Sequence, residues 1–455
     1  MSTTYDVRVW SIDVYEGKRG RTYWVRWVVA GRRNKEPFKT KALAESFRSD
    51  LLSAARKGEA FDIESGRPVS MRRETAVMSW YDLACAFADM KWPHVAATTR
   101  RTHAEALTAL TVLMLSGTKG RPDGKLLRHA LSLWAFNTPR RESPDAPAHV
   151  RAALDWVKKN TRDVGSLSRP EVLRPVLDGL TIRLDGLPAA PSVISRRRKI
   201  LNTTVEYAVE RRLLPTNPLP QLKWKPPRTV TTVDRRSVAN PVQARTLLDG
   251  VREQGRIGPR MVAFYGCLYY AAMRPEEAAR LAKANLRLPE KGWGEFILDG
   301  AAPHAGREWT DSGKNRDSRQ LKQRARGESR TVPCPPELTA LINAHVEQFG
   351  YGQGDRLFVS ERNKEEVPKG TINRIWRWTR AAVFTPEVYA SPLARTPYDL
   401  RHAAVSTWLN GGVPPTQVAE WAGQSVEVLL RIYAKCLDGG DEALRRRIER
   451  ALGHD

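Results

Sequence analysis

Hydrophobic and polar positions change rhythm along this chain. Over the first 66 residues they mostly alternate. Val7, Val9 and Ile12 to Tyr15 predict a first strand, Gly17 and Gly20 a turn, and Tyr23 to Val29 a second strand of aromatic and β-branched residues. A turn at Gly31 leads to a short third strand near Pro37 to Thr40. From Ala42 to Ala55 the period lengthens, and Ala44, Phe47, Leu51 and Leu52 share one side of a predicted helix.

Residues 67–75 read as a linker, and from Ala76 the pattern is helical. Helices are predicted over Ala76 to Ala88, Thr98 to Leu115, Lys125 to Trp134 and Ala148 to Lys159. A Pro-rich loop separates the last two. Pro170 opens another helix, as proline can in a first turn, and Ser192 to Arg211 forms a long one. Residues 223–237 combine prolines, threonines and alternating basic residues, an extended linker. Beyond it, Val242 to Glu253, Gly258 to Ala272, Pro336 to Phe349, Gly370 to Val383, Leu400 to Leu409, Pro415 to Ala422, Val426 to Ala434 and Gly439 to Leu452 read as helices. Phe296 to Leu298 and Arg330 to Val332 read as short strands flanking an irregular basic insertion. The expected fold class is multidomain and mainly α. A small sheet with one helix spans 1–66, an all-helical domain spans 76–222, and an α-rich domain with a small β-hairpin spans 238–455.

Composition narrows the function classes. The chain has 455 residues, 41% hydrophobic and 27% charged, a globular balance with room for several cores. Lys and Arg number 75 against 50 Asp and Glu, a net charge of +25 that favours a polyanionic partner. The four cysteines, Cys85, Cys267, Cys334 and Cys436, are far apart with no CxxC, which indicates neither a zinc site nor a disulfide scaffold. The opening MSTTYDVRVW lacks a signal-peptide pattern, and the apolar run from Met261 to Met273 is too short to span a bilayer. A cytoplasmic location and no membrane partner are therefore expected.

The basic residues fall in groups. Arg26, Arg33 and Lys35 accompany the predicted strands, where a two-stranded ribbon fits a major groove. Arg196, Arg197, Arg198 and Lys199 form a run on the long helix, suited to phosphate contact or to a wet face. Lys314, Arg316, Arg319, Lys322, Arg324, Arg326 and Arg330 fill the insertion.

Three segments carry candidate chemistry. Arg274 leaves an apolar helix in AAMRPEEAARL, with Glu276 and Glu277 near enough to orient it. In YDLRHAAVSTWLNGG, Tyr398, Asp399, Arg401 and His402 crowd a helix start, where anions are favoured. Asp399 there is also a natural cap, and His402 a natural core residue. Tyr433 in LLRIYAKCLDGG would need proton removal and nearby cations to attack a phosphodiester. A lysine in the insertion suits general-acid duty, because a polybasic setting lowers its pKa.

In this order the segments resemble the tyrosine site-specific recombinases, the phage-integrase-like family, most nearly integrases of actinobacterial phages and integrative elements. Arg274 with Glu277 matches that family's first arginine and acid. Lys322, in LKQRARGESRTVP, matches the hairpin lysine, with Lys314 as the alternative. Arg401 matches the second arginine, and Tyr433 lies nine residues beyond the Gly-His position, where the nucleophile belongs. Two positions depart. Tyr398 replaces the histidine of His-x-x-Arg, and Gln424 replaces the later histidine.

The resemblance implies a 3′-phosphotyrosyl link formed by Tyr433, with Arg274 and Arg401 on the non-bridging oxygens. Lys322 would protonate the leaving 5′-oxygen, Tyr398 and Gln424 would position the phosphate, and Glu277 and Asp399 would orient the rest. It implies an arm-type DNA-binding domain at 1–66, a core-binding domain at 76–222 and a catalytic domain at 238–455. It also implies double-stranded attachment sites, a tetramer that passes through a four-way junction, an accessory factor that sets direction, and no metal or other cofactor. The host would be bacterial. The two departures keep a second reading open, a recombinase-derived DNA-binding protein with weakened catalysis.

Overall fold

The structure, a computed structural model, describes residues 3–17, 20–71, 78–183, 185–228, 232–322, 325, 327–362, 364–433, 445–446, 448–449 and 451–453. Residues 1–78 with 208–216 form one unit, and 79–207 with 217–455 form the other.

Within the first unit the strands are β1 (Thr3–Thr4), β2 (Val7–Val9), β3 (Asp13–Gly17), β4 (Gly20–Val29), β5 (Arg32–Phe38) and β6 (Phe61–Asp62), with helix α1 (Lys41–Arg56) after β5. β4 is central. β2 and β3 share one of its edges, so the predicted first strand is interrupted, and β5 takes the other edge. Ala30 and Gly31 both have positive φ, 49° and 76°, the two-residue turn whose twist matches a hairpin. That turn starts β5 at Arg32, ahead of the predicted Pro37. Its first residues are polar, so backbone pairing rather than hydrophobic rhythm makes them a strand. Val25, Trp27 and Val29 point one way, into a core with Ala44, Leu51 and Ala54 of α1. Pleating sends Arg26 the other way, where it sits directly across from Lys35.

The second unit begins with α2 (Trp80–Lys91), α3 (Ala97–Leu113), α4 (Gly124–Ala130), α5 (Thr138–Arg141), α6 (Ala148–Asn160), α7 (Pro170–Gly179) and all but the last three residues of α8 (Pro191–Glu210). Ser79, Asp123 and Asn137 cap α2, α4 and α5 by accepting backbone N–H bonds. The Trp80 indole donates to Thr111 Oγ1 at 3.0 Å, which settles its polar edge inside the helical core.

The same unit continues with α9 (Pro241–Arg252), α10 (Gly258–Tyr270), α11 (Pro275–Ala278), β7 (Leu286–Arg287), β8 (Gly294–Leu298), β9 (Arg330–Cys334), α12 (Pro336–Phe349), α13 (Lys369–Val383), α14 (Pro386–Ala390), α15 (Tyr398–Asn410), α16 (Pro415–Ala422) and α17 (Val426–Tyr433). α10 is apolar nearly all round and is accordingly buried, with Phe264, Tyr265 and Leu268 meeting Phe296, Ile342 and Trp376. β7, β8 and β9 form an antiparallel sheet in that order, one strand more than predicted. The predicted helix from Gly439 to Leu452 lies largely outside the described residues, as does Cys436.

The insertion between β8 and β9 is pinned to the helical segment. Arg100 of α3 donates to both carboxylate oxygens of Asp311, at 2.6 and 3.0 Å, and to the Trp309 carbonyl at 3.0 Å. Trp309 packs on Trp92 with ring centroids 6.0 Å apart, and Asn137 donates to the Glu308 carbonyl at 2.7 Å. Among the described residues no helix is long and apolar enough to cross a membrane.

Candidate functional site

The site grows from the end of α10. Ala272 takes a left-handed backbone, φ 47°, at a cost of roughly 1–2 kcal/mol for a residue with a side chain. That reversal releases Arg274 at the start of α11. Its backbone N–H donates to Glu277 Oε2 at 2.9 Å and its guanidinium to Glu277 Oε1 at 2.8 Å. Arg330, on β9, holds the same carboxylate from the other side, at 3.1 and 2.8 Å. Burial alone would raise the Glu277 pKa. The charges of Arg330 and then Arg274 reverse this and hold it down at about 2.

The far wall is the end of α16. Gly423 terminates that helix in the left-handed conformation, φ 64°. A Cβ there would stand 1.9 Å from the Arg330 guanidinium, so the position admits no side chain. The released carbonyls are used at once. Arg274 donates to Gly423 at 2.6 Å, and Arg401 donates to Ala422 at 2.7 Å. A second bond from Arg401 goes to the Ala272 carbonyl. Two guanidiniums 127 residues apart in sequence thus bind successive carbonyls of one turn. Burial, and next the like charge of Arg274, push the Arg401 pKa down.

Tyr433, at the end of α17, is only 2% exposed. Its hydroxyl lies 2.8 Å from His402 Nδ1. The Tyr398 ring centroid is 6.0 Å from the Arg401 guanidinium carbon, and its edge meets His402 at 5.1 Å. Gln424 Nε2 is buried with no hydrogen-bond partner. An orphaned buried donor costs about 1–3 kcal/mol, a deficit that an arriving anionic oxygen would relieve.

Arg274, Tyr398 and Lys322 line one open cleft of about 840 Å³, with Lys369 and Arg319 on its rim. Lys314 lines a separate hollow with Arg356 and Glu366. Asp399 is not drawn to either arginine. It turns back to accept from Thr396 N at 2.7 Å and Thr396 Oγ1 at 3.1 Å, closing the start of α15.

The outlying basic residues divide. Arg26 pairs with Asp13 at 2.8 Å, Lys35 sits over the Trp24 ring at 5.1 Å, and Arg33 is exposed. On α8, Arg196 and Lys199 are exposed. Arg197 instead donates to the carbonyls of Leu180 and Ile182, at 3.2 and 2.9 Å, and Arg198 lies 6.0 Å over the Trp224 ring. Arg324 and Arg326 lie outside the described residues.

Three residues at the site were not singled out as functional from the sequence. Arg330 closes the run of seven basic residues that begins at Lys314, and only its strand position makes it a partner of Glu277. Lys369 begins a helix with no distinguishing pattern. His402 carried a signal, its place beside Arg401, but a core histidine has the same spacing.

No family model matches the sequence, and no curated protein matches it. Solved structures do. The Tn1549 transposon integrase in complex with transposon right-end DNA aligns at a TM-score of 0.52 and 13% identity, covering 82% of this chain and 99% of that one. The chain has the tyrosine-recombinase fold. Weaker alignments include the XerH site-specific recombinase bound to difH (TM-score 0.47, 12% identity, 81% and 94% covered) and a lambda integrase tetramer bound to a Holliday junction (0.45, 11%, 90% and 91%).

Proposed function

We propose that this chain is a site-specific DNA recombinase of a phage or other mobile element, cleaving and rejoining DNA through a phosphotyrosyl intermediate. One observation carries the reading. Arg274 and Arg401 bind consecutive carbonyls of one helix end, and the Tyr433 hydroxyl lies 2.8 Å from His402, the residue after Arg401. Phosphoryl transfer needs fixed positive charge where the phosphorane develops negative charge, in a place poor in water. Two buried guanidiniums braced by Glu277 and backbone oxygens are preorganised in that sense.

Tyr433 would attack the phosphorus, forming the 3′-phosphotyrosyl link. Arg274 and Arg401 would hold the non-bridging oxygens, the free Nε2 of Gln424 would donate to one of them, and Tyr398 would close over the phosphate. Lys322, exposed at the mouth of the cleft, would protonate the leaving 5′-oxygen. Because the link keeps the bond energy, rejoining needs no nucleotide. Glu277 acts as a brace for the arginines and Asp399 as a brace for α15. The segment 1–66 is assigned to arm-type sites, the helical segment 76–222 to the core site, and 238–455 to catalysis, on four subunits around two DNA sites.

The Tyr433 side chain is buried, so engagement of DNA must uncover the phenol. A substrate nicked near the scissile phosphate traps the intermediate. A covalent adduct that vanishes in Tyr433→Phe supports recombination chemistry. Specific binding without any adduct would leave the weakened, DNA-binding reading in its place.

A further inference from the structure

The residue that faces the nucleophile is a histidine that the family resemblance leaves without a role. His402 stands one position after Arg401 on α15 and presents Nδ1 to the Tyr433 hydroxyl at 2.8 Å. The two rings are 5.6 Å apart at 58°. The groups facing the imidazole are Arg401 and Tyr398 from its own helix and Tyr433 from α17. Tyr398, where the motif has histidine, is a phenol and a poor proton acceptor. His402 lies one turn further along the same helix face.

We propose that His402 accepts the phenol proton as Tyr433 attacks the DNA phosphorus. This rests on the recombinase reading above. In the step, the Tyr433 Oη–H bond breaks and the proton passes to Nδ1. The oxygen's electron pair forms the new O–P bond, the P–O5′ bond breaks, and the 5′-oxygen leaves with that pair and takes a proton from Lys322 Nζ. Rejoining runs the same transfers backwards, and Nδ1 returns its proton to Oη.

Two features make the assignment chemically consistent. Burial, and then the charge of Arg401, hold the imidazole at a pKa of about 4, so it is neutral near pH 7 and free to accept. A phosphodiester seated between Arg274 and Arg401 brings a negative charge that offsets the field of Arg401 at His402. The imidazole then gains proton affinity when substrate is in place.

The test uses the full-length protein and nicked DNA in single-turnover cleavage. His402→Ala and His402→Asn should slow adduct formation by roughly 10²-fold, the low end for a proton-transfer group, with DNA affinity unchanged. A bridging 5′-phosphorothiolate, whose sulfur leaves without protonation, should rescue Lys322→Ala but neither His402 variant. Added imidazole should restore rate to His402→Ala, which a structural role would not permit. Wild-type rates in both His402 variants, or a defect cured by the phosphorothiolate, overturn the proposal. If neither variant folds, the wild-type pH profile decides. A one-proton fall in rate on the acid side supports His402, and a rate unchanged until unfolding overturns it. No adduct from the wild-type protein defeats the recombinase reading itself, whereas a normal wild-type adduct with unimpaired variants defeats only this role.

Discussion

Arg330 holds both carboxylate oxygens of Glu277, at 3.1 and 2.8 Å, where neither side chain reaches solvent. Arg274 shares that carboxylate, so Glu277 balances two buried cations. Removing one partner of a buried pair is costly because the other is left uncompensated. Glu277→Gln should lower unfolding free energy by about 3–5 kcal/mol, read from urea denaturation.

The same carboxylate predicts an acid dependence. Its folded pKa, about 2, lies below the ordinary 4.5. Its contribution is therefore complete above pH 4.5 and is lost as pH falls towards 2. Stability measured between pH 5 and pH 3 should fall less steeply in Glu277→Gln than in the wild type.

Arg274→Ala and Arg401→Ala should each reduce adduct formation by about 10²–10³-fold, the usual loss for a preorganised charge-stabilising donor. DNA affinity, carried by many phosphate contacts, should change only a few-fold in a gel-shift assay. Equal losses of binding and cleavage would mark both arginines as structural.

The two candidate lysines occupy different hollows. Lys322→Ala should slow cleavage by at least about 10²-fold, as expected for loss of a general acid. Lys314→Ala should stay near the wild-type rate. The reverse ranking would move the general acid to Lys314.

Arg33 and Lys35 stand on the face of the amino-terminal sheet away from α1. If that face meets DNA phosphates, each alanine substitution should reduce the salt slope of arm-site binding by about 1. Core-site binding should keep its slope. Titration of both sites against salt checks this.

Arg100 and Asp311 join the helical segment to the insertion that carries Lys322. The arginine side chain is 6% exposed and the aspartate 79%. Solvent screens the aspartate end, so a double-mutant cycle should return a coupling of only about 0.5–1 kcal/mol. Arg100→Ala should cost more than Asp311→Ala, because it also abandons the Trp309 and Trp92 carbonyls.

Hydrophobic rhythm determined most of the elements here. Helices such as α3, α6, α8 and α10 announce themselves because a buried face must recur every three to four residues, and that constraint is local. Net charge and the spacing of Arg274, Arg401, Gln424 and Tyr433 were likewise legible. What rhythm misses is pairing: β5 begins among polar residues because β4 supplies its hydrogen bonds, and β7 is too short to carry a pattern. Tertiary structure alone decided that Arg330 joins Glu277, that Lys322 rather than Lys314 shares the cleft of Arg274, that Arg197 serves carbonyls of its own unit, and that His402 meets Tyr433. Each of these depends on a distance between segments remote in sequence. Such distances follow from how helices and strands stack, which no local pattern encodes.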